Sequence, residues 1–170
     1  MNLEDMTDAE FRRAAVAMEE AGHAVGGVLL GGRVTECWAR ADAGRVTFEG
    51  LDPSHDASVA WWGIYARARF EHGGEPPFDA LREAFAAASP EDAAALGGRM
   101  VPGVHGDVRH AEPAIRRLAS RLYRNGSARN LNVQAALGVR AGVDLDAVRW
   151  AHRQRIDPFS ITPAGQWRAA

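Results

Sequence analysis

The sequence predicts a mainly α-helical single domain carrying one small β-hairpin. Three observations lead to that reading. Apolar residues recur at spacings of three and four along most of the chain, as in Phe11, Ala15, Met18, Gly22, Val25 and Leu29. Only two short stretches, "RVTECWA" and "GRVTFEG", read as strands. Two strong helix starts, "TDAE" at Thr7 and "SPED" at Ser89, complete the pattern. A chain of 170 residues can bury a core as one domain without staples.

In chain order, Thr7 and Glu10 form a capping box that opens a helix from Asp8 to about Leu30, ended by Gly31-Gly32. The two strands follow, joined by a turn through Ala43-Gly44. Ser54 or Asp56 caps a second helix, "ASVAWWGIYARARFEH", closed by Gly73-Gly74. "PPFDALREAFAAA" is a third. Ser89 as N-cap and Pro90 at the first helical position start a fourth. The glycine-rich "GGRMVPGVHGD" is the clearest loop. An Arg-rich helix at about 108–125 follows, then helices near 131–141 and 145–156. Residues 1–156 thus form the domain, its C-terminal helical pair spanning about 130–156. Residues 157–170 read as an irregular tail.

Composition narrows the function classes. No apolar run approaches the ~20 residues that span a bilayer. The acidic start "MNLEDMTDAEF" is unlike a signal peptide, so the expectation is a cytoplasmic protein without a membrane partner. Cys37 is the only cysteine, which excludes an internal disulfide and a Cys-rich zinc site and predicts a buried thiol. All 20 basic residues are arginine. Residues 1–108 hold nine arginines against 18 acids, and residues 109–155 hold ten against three. Such asymmetry marks either a nucleic-acid face or two halves that attract each other.

The chemistry concentrates in "AMEEAGHAV". Glu19 and His23 stand four apart on one helix face, a spacing that lets two side chains grip one ion. Glu20 lies on the adjoining flank, where the H-E-x-x-H proteases carry their general base. Zinc accepts carboxylate oxygen as well as imidazole nitrogen. Glu19 in the first ligand position would weaken the ion as a Lewis acid and shift preference toward a harder ion such as Mn²⁺.

The longer stretch "AAVAMEEAGHAVGGVLLGGRVTECW" resembles the peptidase domain of FtsH-type AAA proteases and their stand-alone relatives. Those proteins carry "A-x-H-E-A-G-H-A", a glycine turn and a valine-rich strand. "EAGHAV" and "LLGGRV" match in order and spacing, and "WWGIYARARFEHGG" looks like the next helix of that family. The resemblance covers roughly residues 11–125 and is specific in its first third. It implies a zinc metallopeptidase fold in which His23 and Asp92, the latter from "SPEDAAAL", are ligands and Glu20 is the base; Glu91 is the alternative to Asp92. Glu19 occupies the first ligand's position and departs from the family's histidine. The chain has no lysine, so no G-x-x-x-x-G-K-[ST] motif is present and no unfoldase of its own is implied. The family's strand after the metal helix binds substrate at its edge, a role that "RVTECWA" could fill for a peptide or protein partner.

Two function classes therefore lead: a metal-dependent hydrolase of peptide bonds, or a pseudo-peptidase that retains the fold and a protein-binding cleft. A third rests on "VQAALGVRAGVDLDAVRWAHRQR", which has the rhythm of a helix-turn-helix. There Gly138 sits at the helix contact, Gly142 makes the turn, Val148 packs back, and Arg149, Arg153 and Arg155 project toward DNA. In "HGDVRH", His105, Asp107 and His110 are further legal ligands, and His105 or His110 could help His23 if the loop folds over the first helix; solvated histidines are the simpler reading. No nucleophile motif such as G-x-S-x-G occurs, and Trp61-Trp62 are read as core.

Overall fold

The computed structural model describes residues 6–161. Among them the fold is mainly helical, with seven α-helices and one antiparallel hairpin. The first helix, α1 (Asp8–Leu29), opens with the expected capping box: Glu10 N–H donates to Thr7 Oγ1 at 3.3 Å, and Thr7 N–H donates to the Glu10 carboxylate at 2.9 Å. Its burial is wider than one stripe. From Ala14 to Val28 every residue except Glu19 is buried, because the helix runs through the middle of the domain.

Two strands follow α1, β1 (Arg33–Ala39) and β2 (Gly44–Glu49), with a register irregularity between Val34 and Glu36. Helix α2 (Asp56–Glu71) packs along α1. The sequence gives two candidate caps for it, Ser54 and Asp56, but Asp52 does that work one turn earlier. Its carboxylate accepts from Ser54 N–H at 2.9 Å and caps a 3₁₀ turn, Pro53–His55, that leads into α2. Trp61 and Trp62 on α2 are buried, as the sequence predicts.

Next come α3 (Phe78–Ala86), α4 (Pro90–Leu96), α5 (His105–Asn125), α6 (Asn130–Leu137) and α7 (Leu145–Arg153). The stretch 97–107, expected as one loop, is shorter than that: a 3₁₀ turn at Pro102–Val104 runs directly into α5, which begins at His105. On α5 the buried residues Val108, Ala111, Ile115, Leu118 and Leu122 follow the helical period and face the core. The last two helices stop earlier than their apolar pattern suggests, α6 at the left-handed Gly138 (φ 100°) and α7 at Arg153. Of the expected tail, residues 157–161 are tied down. Arg140 donates to the carbonyls of Gly138, Pro158, Phe159 and Ile161 at 2.7–3.3 Å. Residues 162–170 lie outside the described residues.

Small residues let α1 and α2 meet closely. A Cβ on Gly22 would lie 2.7 Å from the Trp62 carbonyl oxygen and 2.8 Å from the Ala66 Cβ, and one on Gly26 would lie 2.6 Å from the Trp62 ring. Neither backbone can yield without parting the helices. Gly22→Ala is therefore expected to cost about 1–3 kcal/mol by overpacking. Urea denaturation measures it; a wild-type midpoint would mean that the helices are not in backbone contact.

Candidate metal centre

The signature helix turns its polar face toward α2 and α4. Ligand atoms of Glu19, His23 and Asp92 all lie within 4.8 Å of one another, the one such group of three among the described residues. Each is held by a different device. His23 is buried, and its Nδ1–H donates to the Val59 carbonyl on α2 at 2.9 Å. That bond makes Nδ1 the donor and turns Nε2 toward Asp92 Oδ2 at 3.7 Å. Asp92 sits in the first turn of α4, where Ser89 Oγ–H donates to its Oδ2 at 2.8 Å while Asp92 N–H donates back to Ser89 Oγ at 3.1 Å. The helix start "SPED" thus also aims a carboxylate at the imidazole. Of the two acids considered there, Asp92 joins the cluster, whereas Glu91 is exposed.

Glu19 is only 15% exposed at its side chain, and its Oε2 accepts from Arg67 Nη1 at 3.0 Å. Arg67 escapes a motif search because it lies 48 residues away on α2. Glu20, next in sequence, points beneath the hairpin. Its carboxylate accepts no hydrogen bond among the described residues, and a Cβ on Gly44, the first residue of β2, would fall 2.3 Å from its Cγ. Burial, reinforced by the charges of Glu19 and Asp92 against the opposing pull of His23, pushes the Glu20 carboxyl up to about 7. For His23 burial acts downward, but the carboxylates of Asp92, Glu20 and Glu19 outweigh it and hold the imidazole above its ordinary value. Gly63 on α2 makes room for that ring, since a Cβ there would lie 2.2 Å from His23 Cε1.

The donor set suits a divalent cation. Tetrahedral ligands at about 2.0–2.1 Å stand roughly 3.3 Å apart, so these three side chains need only close in slightly. Three carboxyl groups, of Glu19, Glu20 and Asp92, surround the His23 imidazole, and Arg67 is the guanidinium bonded to Glu19.

Other predicted ligands go elsewhere. His105 accepts from Trp61 Nε1–H at 2.9 Å and stacks on the Tyr65 ring at 3.9 Å. Asp107 pairs with Arg155 at 2.7 Å, and His110 lies beside His152 in the wall of a 260 Å³ cleft between α5, α7 and Pro158. They neither join His23 nor form a cluster of their own among the described residues.

The three arginines read as a DNA face also divide. Arg149 donates through Nε and Nη2 to the Val28 carbonyl at 3.1 and 2.8 Å, supplying a cation to the end of α1, whose own last turn has none. Arg155 is engaged with Asp107 and the Gly106 carbonyl, and Arg153 is exposed. Part of the charge asymmetry is spent between the two segments, as in Arg109–Glu75 and Arg155–Asp107.

The edge of β1 is likewise occupied. Ala39 N–H donates to the Gly126 carbonyl at 3.0 Å, Ala128 N–H to the Cys37 carbonyl at 2.9 Å, and Val34 N–H to Asn130 Oδ1 at 3.0 Å. The chain after α5 therefore takes the place that the sequence assigns to a partner peptide. The outer edge of β2 has no backbone partner among the described residues. Cys37 faces inward; burial first and Glu20 second push its thiol up to about 12, leaving it inert. No helix is long and apolar enough to cross a membrane among the described residues.

Two expected outcomes test this arrangement. Because the folded Glu20 carboxyl titrates near 7 and an ordinary one near 4.5, the folded state keeps a proton that the unfolded chain has released between those pH values. The contribution of Glu20 to stability is then greatest below about 4.5, falls as pH rises to about 7, and stays low above, against the opposite trend of carboxyls held low such as Glu75 and Glu112. In metal-free buffer Glu20→Gln is expected to be more stable at pH 8 by up to about 3 kcal/mol and to flatten the profile. Parallel wild-type and variant profiles would show that Glu20 is not held in a dry place. Gly63→Ala is expected to displace the His23 ring, seen as a shifted imidazole NMR signal; an unmoved signal would contradict the close contact. No family model matches the chain, and no curated protein or solved structure matches it either.

Proposed function

We propose that this protein is a metallopeptidase-like enzyme, with Glu19, His23 and Asp92 holding a divalent ion and Glu20 acting as general base on a peptide substrate. The observation that carries this reading is the convergence of the three ligand atoms around a histidine whose other nitrogen is already fixed by Val59. When bound, such an ion supplies Lewis acidity to a water and to a carbonyl. The chain's own contribution is positional and protonic. Glu20 titrates near neutrality, so its carboxylate can take a proton from the attacking water and return it to the leaving amine. Two carboxylates and one imidazole suit zinc and also harder ions such as Mn²⁺.

The open edge of β2 supports the choice of an extended peptide as substrate. A strand added there would run past Gly44, whose missing Cβ keeps the backbone close to Glu20. A second reading, a pseudo-peptidase that binds peptides without cleaving them, is favoured by one observation: Arg67 already neutralises Glu19.

Elemental mass spectrometry and a casein-cleavage assay separate the two. The enzyme reading expects about one equivalent of metal, lost in His23→Ala, and cleavage that stops with chelator and with Glu20→Gln. Peptide binding that survives chelation, with no cleavage, would replace it by the pseudo-peptidase reading.

A further inference from the structure

Arg67 carries more information than an ordinary surface ion pair. Its guanidinium spans two helices: Nη1 donates to Glu19 Oε2 on α1 at 3.0 Å, and Nε donates to Glu71 Oε1 on its own helix at 2.8 Å. Glu71 stands one turn away at i+4 and is more exposed than Glu19, with 32% against 15% of its side chain open. One cation is therefore shared between a carboxylate inside the metal cluster and a carboxylate outside it.

We infer that Arg67 is a latch on the metal centre, occupying Glu19 until a divalent ion displaces it onto Glu71. The inference rests on the metal reading proposed above. A carboxylate whose charge is already met by a guanidinium is a poorer metal ligand. An ion entering beside Arg67 also meets a like charge in a partly buried place, where such repulsion is weakly screened. Glu71 lowers the cost of release, because the guanidinium keeps a partner after letting go. The rotation involved is local, since the Nε bond to Glu71 already exists.

Opposite signs for two neighbouring variants distinguish a latch from a structural ion pair. Competition with a chromophoric chelator, using Zn²⁺ alone and Mn²⁺ alone, measures affinity in the full-length protein. Arg67→Met is expected to tighten binding about tenfold. Glu71→Gln is expected to weaken it severalfold, and to have no effect once Arg67 is already Met. Arg67→Lys, which keeps the charge but not the fork, is expected to fall between wild type and Arg67→Met. Weaker or unchanged binding in Arg67→Met, with a normal circular dichroism melt, would overturn the latch and make Arg67 an orienting partner of Glu19. If Glu19→His binds metal and no Glu19-containing variant does, Glu19 is no ligand and the latch falls while the scaffold reading stands. If folded Glu19→His binds none either, the metal reading itself falls, and the latch with it.

Discussion

The close contact of α1 with α2 is the constraint on which the rest of this structure depends. Three glycines permit it: Gly22 and Gly26 on one helix and Gly63 on the other, each with no room for a Cβ. Helix axes that approach this nearly bring the His23 ring against α2 backbone, where the Val59 carbonyl can fix its tautomer. The same approach puts Arg67 within hydrogen-bonding distance of Glu19. Had α1 and α2 been spaced by ordinary side chains, the signature residues would face a crevice filled with water. Packing here is the cause of the site's chemistry, and the two cannot be varied separately.

That packing also sets an electrostatic problem. Glu19, Glu20 and Asp92 approach one another in a largely buried region, where the charges of Glu19 and Asp92 add to burial in raising the cost of ionising Glu20. The structure answers in three ways. Glu20 gains a near-neutral pKa under the hairpin. Asp92 leans on the Ser89 hydroxyl and on the positive end of a helix start. Glu19 takes a guanidinium. The first of these gives Glu20 a carboxyl able to exchange protons near pH 7.

Local features of this fold were legible in the sequence, and long-range ones were not. Thr7–Glu10, Ser89–Pro90 and the strand pattern act within a few residues, so their elements formed where expected. The i, i+4 pair Glu19–His23 is equally local, and Asp92 came from a resemblance that aligned a distant helix. What escaped depends on partners far along the chain. Cover for the β1 edge comes from Gly126–Asn130, some ninety residues later, and no property of "RVTECWA" announces it. Arg149 reads as a DNA contact because nothing in its own helix reveals the Val28 carbonyl. His105 reads as loop because glycines surround it, yet stacking on Tyr65 and a bond from Trp61 hold it at a helix start.

Glu19 and Arg67 act as one physical unit and not two. A neutral imidazole at position 19 would add no charge beside Glu20 and Asp92 and would need no counter-ion. A carboxylate there adds a third negative group to a mostly dry cluster, and such a group persists only when paired. The pairing cation must be either a metal or a side chain, and Arg67 supplies the second option within the fold itself. A guanidinium suits that role because its planar fork can hold Glu19 and Glu71 at once, which a lysine ammonium does less well. The consequence is that the charge of Glu19 is met within the fold itself. On the metal reading proposed above, an incoming ion would have to break an existing ion pair to reach Glu19.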